Sequence, residues 1–257
     1  MNLNINDKVF IISGSSRGIG KGIADVLLEE GAKVVITGRN KKDLKTTFDK
    51  LNDNFPNKVQ YHIGDLNKKG TIDSLEKKTL DKWSRVDGLV ANAGTVKSVE
   101  DWNIPDIDWN WYLKGNFSIA VRFVTHFIPL LRNSNGSIVF VSSIAGLEDI
   151  GAPLPYCSSK AALTAYAKGL ARKLAPYCIR VNSVAPGNIF FPGGNWDKRM
   201  RTDPKGIKRL IKQNVPLGQF GTPLDIGNIV AFLLSEKARF ITGSCFVVDG
   251  GQTTSFF

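Results

Sequence analysis

Short apolar runs alternate with longer segments of mixed polarity along the whole chain. Runs rich in Val, Ile, Leu and Phe predict seven buried strands, at 8–13, 32–37, 59–63, 86–91, 137–142, 179–185 and 245–248. The segments between them have the apolar spacing and polar faces of helices, at 18–31, 41–54, 68–84, 106–133, 155–176 and 223–234. Continuously apolar strands that alternate with helices indicate a parallel sheet with helices on both faces.

This order of elements predicts an α/β fold with a doubly wound sheet, because crossovers between parallel strands are right-handed. In such a sheet, ligands bind beyond the carboxyl ends of the strands. We find no internal repeat or linker, and 257 residues with 42% apolar content suit one domain across 1–257. The one long stretch without a strand pattern is 187–217, so we predict a substrate lid at 188–217.

Location and metal content follow from three features. No run approaches 18 apolar residues, so we expect no transmembrane helix and no membrane partner. The N-terminal stretch 1–7 is polar overall, and the apolar stretch after it is too short for a signal peptide. Cys157, Cys178 and Cys245 are odd in number and lack metal-ligand spacing. We therefore expect a cytoplasmic protein without a metal site.

The net charge of +11 is compatible with several anionic partners. Most lysines occur singly on predicted helices, which argues against a nucleic-acid-binding face with interleaved aromatic residues. The exception is 198–212, where seven basic residues accompany a single acid, Asp203. This stretch is either a solvated amphipathic helix or a contact for an anionic substrate, such as a phosphate, a carboxylate or an acidic carrier protein.

A glycine-rich turn follows the first predicted strand. Residues 13–20 read Ser-Gly-Ser-Ser-Arg-Gly-Ile-Gly, and a predicted helix begins within them. Glycines let the chain turn tightly and let backbone N–H groups approach a pyrophosphate at the start of a helix. Many glycine-rich turns bind nothing, but a position directly after the first strand predicts a dinucleotide site.

The second predicted strand is followed by Arg39 rather than by an acidic residue. An acid at this place typically binds the ribose 2′-hydroxyl of NAD, whereas an arginine suits the 2′-phosphate of NADP. With Arg17 in the glycine turn as a second cation, NADP(H) is the favoured cofactor and NAD(H) the alternative. Arg39 could otherwise be a solvated residue in the first turn of a helix.

Tyr156 and Lys160 are four residues apart in a predicted helix, so their side chains share one face. An ammonium group near a phenol favours the phenolate and lowers its pKa. Such a tyrosine can exchange a proton with an alcohol or a carbonyl near neutral pH. Tyr–Lys pairs also arise by accident on surface helices, so the pair gains meaning only from the other motifs.

Three motifs in order resemble the short-chain dehydrogenase/reductase family over essentially the whole chain. They are the turn at 13–20, the segment Ala91-Asn92-Ala93-Gly94, and Tyr156 with Lys160. Asp65, Asn116, Ser143 (thirteen residues before Tyr156), Pro186-Gly187 and Gly250-Gly251 agree with the same order. The resemblance implies a Rossmann-type sheet of seven parallel strands. It also implies an NAD(P)-dependent oxidoreductase that interconverts a carbonyl and an alcohol by hydride transfer.

The resemblance further implies roles for individual residues. The catalytic set is Asn116, Ser143, Tyr156 and Lys160. Tyr156 would be the general acid and base, Lys160 would lower its pKa and bind the nicotinamide ribose, and Ser143 would hold the substrate carbonyl. Asn116 would keep a water between Lys160 and solvent. The cofactor-binding set, to which the argument above adds Arg39, is Gly14, Ser16, Arg17, Gly18, Ile19, Asp65, Leu66, Asn92, Ala93, Gly94, Tyr156, Lys160, Pro186, Gly187 and Ile189.

Some positions leave alternatives open or depart from the family pattern. Asn92 and Asn116 could be structural amides, and Ser142 could act in place of Ser143. Ser13 stands where Thr is usual, a change that keeps the hydroxyl. After Ile189, where many members carry a Thr that binds the nicotinamide end, the chain has Phe190-Phe191.

The substrate is a small carbonyl or alcohol compound whose identity stays open. Phe190, Phe191 and Trp196 suggest an apolar or ring-shaped partner, and the basic stretch suggests an anion or a carrier-bound group. A 3-oxoacyl-carrier-protein reductase and a sugar or polyol dehydrogenase both fit. A non-catalytic NADP-binding regulatory module is a remote alternative. Such a protein normally lacks one of the Ser, Tyr and Lys residues, and this chain has all three.

Small residues four apart, at Ala161, Ala165 and Gly169, allow close packing of the helix that follows Tyr156. Family members typically pair through this helix and the long one before it. The resemblance therefore implies a homotetramer, with a dimer as the second choice.

Overall fold

The structure is a computed structural model that describes residues 2–97 and 102–255; the remaining positions of the predicted domain 1–257 lie outside the described residues. Seven strands form one sheet in the order β3-β2-β1-β4-β5-β6-β7, and every neighbouring pair is parallel. The strands are β1 (Val9–Ile12), β2 (Lys33–Gly38), β3 (Val59–Ile63), β4 (Gly88–Ala91), β5 (Ser137–Val141), β6 (Arg180–Pro186) and β7 (Cys245–Val248). The predicted α/β class with a seven-stranded, Rossmann-type parallel sheet is confirmed.

Nine α-helices connect the strands within the described residues. They are α1 (Gly18–Glu29), α2 (Lys41–Asn54), α3 (Lys69–Trp83), α4 (Asp106–Tyr112), α5 (Ile119–Leu131), α6 (Leu154–Leu174), α7 (Asn195–Thr202), α8 (Pro204–Asn214) and α9 (Pro223–Leu234). Within residues 2–97 and 102–255, no helix is both long and apolar enough to cross a membrane.

Two hydrophobic layers cover the two faces of the sheet. Alternate residues of a strand point to opposite faces, so Phe10 and Ile12 join one layer and Ile11 joins the other. The first layer includes α1, α2 and α9, and the second includes α3, α5 and α6. Because both faces are covered, the open part of the sheet is the edge where the strands end.

The predicted helix over 106–133 is divided in the structure. Between α4 and α5, the segment Leu113–Ser118 has π-helical geometry. A π-helical turn replaces i→i+4 hydrogen bonds by wider i→i+5 bonds and often marks a functional site. Asn116 lies within this segment, and its side chain donates to the Tyr112 carbonyl at 3.0 Å. The hydrophobic pattern could not show this break, because a single wide turn hardly changes the positions of the apolar residues.

Residues 188–217 contain α7 and α8, so the basic stretch 198–212 is helical, as one of its two interpretations predicted. This segment has a hydrophobic cluster of its own, formed by Ile207, Val215 and the adjacent Phe220. Partly buried side chains, including Phe190 and Trp196, pack against it, and the Trp196 and Phe220 rings lie 4.7 Å apart. At its start, the segment is joined to the rest of the fold by hydrogen bonds between the backbones of Phe190 and Gly221 (2.7 Å) and of Gly221 and Asn188 (3.0 Å).

Candidate active site

The glycine turn lies where the sheet order reverses, between β1 and β4. Gly14 has a φ of +65°, and a Cβ there would lie 2.8 Å from the Ala93 Cα, so the turn and the loop after β4 touch through their backbones. At the start of α1, Arg17 is extended and makes no side-chain capping bond. The first N–H groups of α1 therefore point to a position suited to a phosphate.

Side chains of Ser13 and Asn92 hold the two backbones together. The Ser13 hydroxyl accepts from the Asn92 and Ala93 N–H groups, each at 2.9 Å. The Asn92 amide donates to the Ser13 carbonyl at 3.1 Å and to the Gly14 carbonyl at 2.8 Å. Asn92 thus makes the contacts expected of a structural amide, and its loop still borders the crevice. Ser13 keeps the hydroxyl of the usual Thr, and this hydroxyl accepts the two hydrogen bonds that join the turn to the loop.

The other residues predicted to bind the adenosine end surround the ends of β2 and β3. Arg39 is exposed just beyond β2, and Leu66 is buried after β3. Hydrogen bonds from the Asn67 backbone hold the pKa of Asp65 below its ordinary value, and the charge of Arg39 adds to this lowering. Arg39 and Asp65 therefore lie near each other. Ser16 and Ile19 belong to the turn, where the Ser16 carbonyl accepts from Thr47 at 2.6 Å.

Tyr156 and Lys160 lie on the first turns of α6, beside the end of β5. The Lys160 Nζ lies 5.8 Å from the centre of the Tyr156 ring and donates to the Val141 carbonyl at 2.9 Å. Burial lowers the pKa of Lys160 to about 8. Burial also raises the pKa of Tyr156, while a hydrogen bond with Ser143 acts in the opposite direction. The net pKa of Tyr156 is therefore raised rather than lowered as expected, because desolvation of the phenol dominates.

The two serines at the end of β5 face different neighbours. Ser143 is extended, accepts from the Ala145 N–H at 3.2 Å, and lies within hydrogen-bond reach of Tyr156. The Ser142 hydroxyl bonds the Lys160 carbonyl at 3.0 Å and the Thr164 hydroxyl at 2.8 Å. The structure thus brings Ser143, rather than Ser142, to Tyr156.

Asn116 is fully buried and bonds backbone groups on both sides. Its amide donates to the Thr95 carbonyl at 3.0 Å, and its oxygen accepts from the Thr95 N–H at 2.9 Å. A Cβ on Gly94 would lie 2.9 Å from this oxygen and 3.6 Å from the Lys160 Nζ. Asn116 is therefore adjacent to the catalytic candidates, and its contacts are those of a structural amide.

Residues after β6 complete the rim of the crevice. Gly187 donates to the Val248 carbonyl at 3.0 Å, and the buried Ile189 forms a parallel bridge with Gly221. Phe191 packs on the glycine turn, since a Cβ on Gly18 would lie 2.7 Å from its ring. The residues around the crevice fit a dinucleotide, with an open helix start for phosphates and an aromatic ring beside it.

Charge on the rim is concentrated on α7 and α8. All seven basic side chains of 198–212 are exposed: Lys198, Arg199, Arg201, Lys205, Lys208, Arg209 and Lys212. Arg201 forms an ion pair with Asp197 at 2.9 Å, and Arg199 lies 4.7 Å from the centre of the Trp196 ring. In the described part of the chain, no group of three or more His, Cys, Asp or Glu side chains could hold a metal ion.

Comparisons with known proteins agree with this geometry. A profile of the family described as enoyl-(acyl carrier protein) reductase matches residues 14–253. The 3-oxoacyl-[acyl-carrier-protein] reductase of Chlamydia muridarum is 32% identical over 257 residues, which cover 98% of this chain and 100% of that protein. The chain belongs to the short-chain dehydrogenase/reductase family. It is therefore an NAD(P)-dependent oxidoreductase that interconverts a carbonyl and an alcohol, as the motifs predicted.

Other relatives of this short-chain dehydrogenase/reductase act on different compounds. A (2S)-[(R)-hydroxy(phenyl)methyl]succinyl-CoA dehydrogenase subunit of Thauera aromatica is 32% identical, with 98% of each chain covered. The L-sorbose reductase of Gluconobacter frateurii, solved with NADPH and L-sorbose, has a TM-score of 0.93 at 30% identity and full coverage of both chains. The prediction of a nicotinamide dinucleotide, with NADP(H) favoured over NAD(H), agrees with that complex.

Two parts of this short-chain dehydrogenase/reductase site carry no signal in the sequence. The C-terminal residues reach the rim, where Thr254 donates to the Glu148 carboxylate at 2.9 Å and Gln252 accepts from the Asn188 N–H at 3.3 Å. Tyr112 lies beside the catalytic candidate, with its ring centre 6.4 Å from that of Tyr156. Neither contact follows from a motif, because both join residues far apart in sequence.

Proposed function

We propose that this protein reduces a carbonyl group with Tyr156 as general acid, Ser143 as the group that holds the carbonyl oxygen, and Lys160 as the supporting cation. The observation that carries the proposal is the meeting of these three side chains at the end of β5, beside the glycine turn. A bound nicotinamide supplies the hydride. The Tyr156 hydroxyl supplies the proton, and hydrogen bonds from Ser143 and Tyr156 stabilise the charge that develops on the oxygen.

Lys160 would support the proton transfer through its charge. Its ammonium group lies close to the Tyr156 ring and would stabilise the phenolate left after the proton has moved. With a pKa of about 8, Lys160 can also exchange a proton near neutral pH. Asn116 would act by holding the backbone of Thr95 next to this lysine.

NADP(H) is the proposed cofactor because Arg39 lies exposed where the 2′-phosphate would be bound. The test is Arg39→Asp, which replaces the phosphate partner by an acid suited to a free 2′-hydroxyl. We expect the ratio of kcat/KM for NADPH to that for NADH to fall about tenfold or more, as for loss of a charge-assisted hydrogen bond. Lys50→Asp on α2 makes the same change of charge away from the crevice and should leave the ratio intact. A wild-type preference for NADH would contradict the proposal.

An anionic acyl thioester is the proposed substrate class, with 188–217 as its lid. The seven exposed basic side chains on α7 and α8 favour a phosphate-bearing or carrier-bound substrate. A 3-oxoacyl group on an acidic carrier protein has this chemistry, and the Chlamydia muridarum relative supports it. A keto-sugar is the second candidate, favoured by the likeness to L-sorbose reductase over the full length.

A substrate panel distinguishes these candidates. NADPH oxidation is measured with a 3-oxoacyl thioester on carrier protein, the same acyl group on N-acetylcysteamine, a keto-sugar and a simple ketone. For the thioester proposal, we expect the carrier-bound compound to have the highest kcat/KM and to lose the advantage in Lys208→Glu/Arg209→Glu. A highest kcat/KM for the keto-sugar supports the second candidate. Activity that survives Tyr156→Phe for every compound would contradict the proposed acid.

The proposed assembly is a homotetramer, with a dimer as the second choice, in the cytoplasm. Support for the assembly comes from the exposed small residues Ala161, Ala165 and Gly169 along one face of α6. Light scattering should give four times the chain mass, and Ala165→Arg should reduce the assembly. A monomeric wild-type mass would contradict both choices.

A further inference from the structure

Two side chains hold the loop after β4 by its backbone. As described above, Asn116 bonds both the N–H and the carbonyl of Thr95. One helical turn earlier, the Tyr112 hydroxyl accepts from the Lys97 N–H at 3.1 Å and donates to the Lys97 carbonyl. Each side chain satisfies both backbone groups of one loop residue, and those residues are two positions apart, as alternate residues of a strand are. The pair fixes the path of the loop from Thr95 to Lys97.

Tyr112 also touches the catalytic candidate. It is fully buried, and its ring meets that of Tyr156 edge to face, with an angle of 65° between the ring planes. The loop that its hydroxyl holds passes beside Lys160, since a Cβ on Gly94 would lie 3.6 Å from the Lys160 Nζ. One side chain therefore contacts both the loop and the proton donor.

A phenylalanine would fill the same space if Tyr112 only packed the interior. The hydroxyl instead makes two hydrogen bonds to an exposed loop residue that water could also solvate. Its contribution is therefore to the position of the loop more than to the cohesion of the core.

We propose that Tyr112 is a positioning residue that fixes the loop after β4 against Tyr156, so that this loop forms one wall of the substrate site. The inference rests on the proposed role of Tyr156 as the general acid. The titratable groups that face Tyr156 are Lys160 and Cys157 on α6 and Tyr112 on α4. After burial, Cys157 and Tyr112 are the groups that raise the pKa of Tyr156.

Tyr112→Phe removes the hydroxyl and keeps the ring. We expect the substrate KM to rise about five- to tenfold with kcat within about twofold, because the loop contributes equally to ground-state and transition-state binding. The alkaline limb of kcat/KM against pH should move to lower pH, since a phenol that raises the pKa of Tyr156 is gone. Tyr166→Phe is the matched control, because Tyr166 on α6 packs against the Phe117 and Phe140 rings and should leave all three values unchanged.

Limited proteolysis measures how firmly the loop is held, independently of enzyme activity. Trypsin should cleave after Lys97 several-fold faster in Tyr112→Phe than in the wild type or Tyr166→Phe, because both backbone bonds of Lys97 are lost. Unchanged cleavage would show that the Tyr112 hydroxyl does not hold the loop at Lys97. Faster cleavage with an unchanged substrate KM would show that the loop does not form a wall of the substrate site. Suppose instead that the wild type reduces no compound of the panel, while Tyr112→Phe is still cleaved faster than the wild type. This result would refute the proposed function and still support the role of Tyr112 in holding the loop.

Discussion

The two sides of the crevice rest in part on different hydrophobic cores. The glycine turn and the loop after β4 rest on the main sheet and are joined through Ser13 and Asn92. The 188–217 segment starts in the main core with Ile189 and Phe191, but its exposed basic helices rest on a separate cluster that includes Ile207. We therefore expect the geometry around Tyr156 to depend on the sheet, and the exposed surface of the proposed lid to vary without moving Tyr156. Relatives that act on an acyl carrier, a coenzyme A ester and a sugar fit this division of labour.

The catalytic side should show the largest effect. Tyr156→Phe removes the proposed proton donor and almost no volume, so kcat should fall by about two to four orders of magnitude. NADPH binding, followed by nucleotide fluorescence, should stay within about twofold, because the ring is still present. Rates are measured by NADPH oxidation at saturating substrate. A variant with near-normal kcat would show that another group supplies the proton.

The sequence predicted the elements around the glycine turn and Tyr156 better than those of the proposed lid, for a physical reason. The residues of the turn and α6 are specified by local rules, namely strand–turn–helix order and the four-residue spacing of Tyr156 and Lys160. The choice of Ser143 over Ser142 followed from the family resemblance, through its offset of thirteen residues from Tyr156. In contrast, α7 and α8 each bury a single side chain, Asp197 and Ile207, so a search for buried strands left their helical pattern as only one of two alternatives.

Pairwise charge arguments from sequence were less successful. The spacing of Tyr156 and Lys160 predicted a lowered phenol pKa, but burial raises it. Desolvation depends on every atom around the group, including Tyr112, which lies 44 positions earlier in the chain. The contact of Phe191 with Gly18 could not be predicted either, because it joins the proposed lid to the start of α1, far away in sequence.

Lys160 gives the catalytic side a stability that depends on pH. Its folded pKa of about 8 lies below the model-compound value of 10.5, so below pH 8 the folded state carries the whole cost of a buried ammonium. Between pH 8 and 10.5 the unfolded state binds more protons, and folding becomes more favourable as the pH rises. We expect the unfolding free energy of the wild type to gain on the order of 3 kcal/mol relative to Lys160→Met across this window.

Urea titrations at several pH values measure that difference. Lys50→Met, an exposed lysine on α2, controls for the loss of one positive charge. Parallel pH profiles for the wild type and Lys160→Met would show that Lys160 is not desolvated in the folded protein.

The glycine turn should tolerate no side chain at Gly20. A Cβ there would lie 2.4 Å from the Gly14 carbonyl oxygen and 2.5 Å from the Asn92 amide nitrogen, so backbone must shift. We expect Gly20→Ala to lower the unfolding free energy by about 2–3 kcal/mol, as overpacking typically does, and to weaken NADPH binding. Gly70→Ala on α3, where a Cβ meets nothing within 4 Å, is the matched control. Equal stability of the two variants would mean that the turn can relax.

Substitutions in the proposed lid should have the smallest effect on stability. Two isoleucines, one in the main core and one in the proposed lid, allow the comparison. Ile36 is buried in the main core and Ile207 in the lid cluster, at 0% and 2% exposure. Ile36→Ala should lower the unfolding free energy by about 2–5 kcal/mol, because a cavity opens beneath the sheet. Ile207→Ala should lower it by less than about 1 kcal/mol while raising the substrate KM, because the small cluster can open without unfolding the sheet. If Ile207→Ala costs as much as Ile36→Ala, the segment folds as one unit with the sheet, and the contrast between the two sides of the crevice is lost.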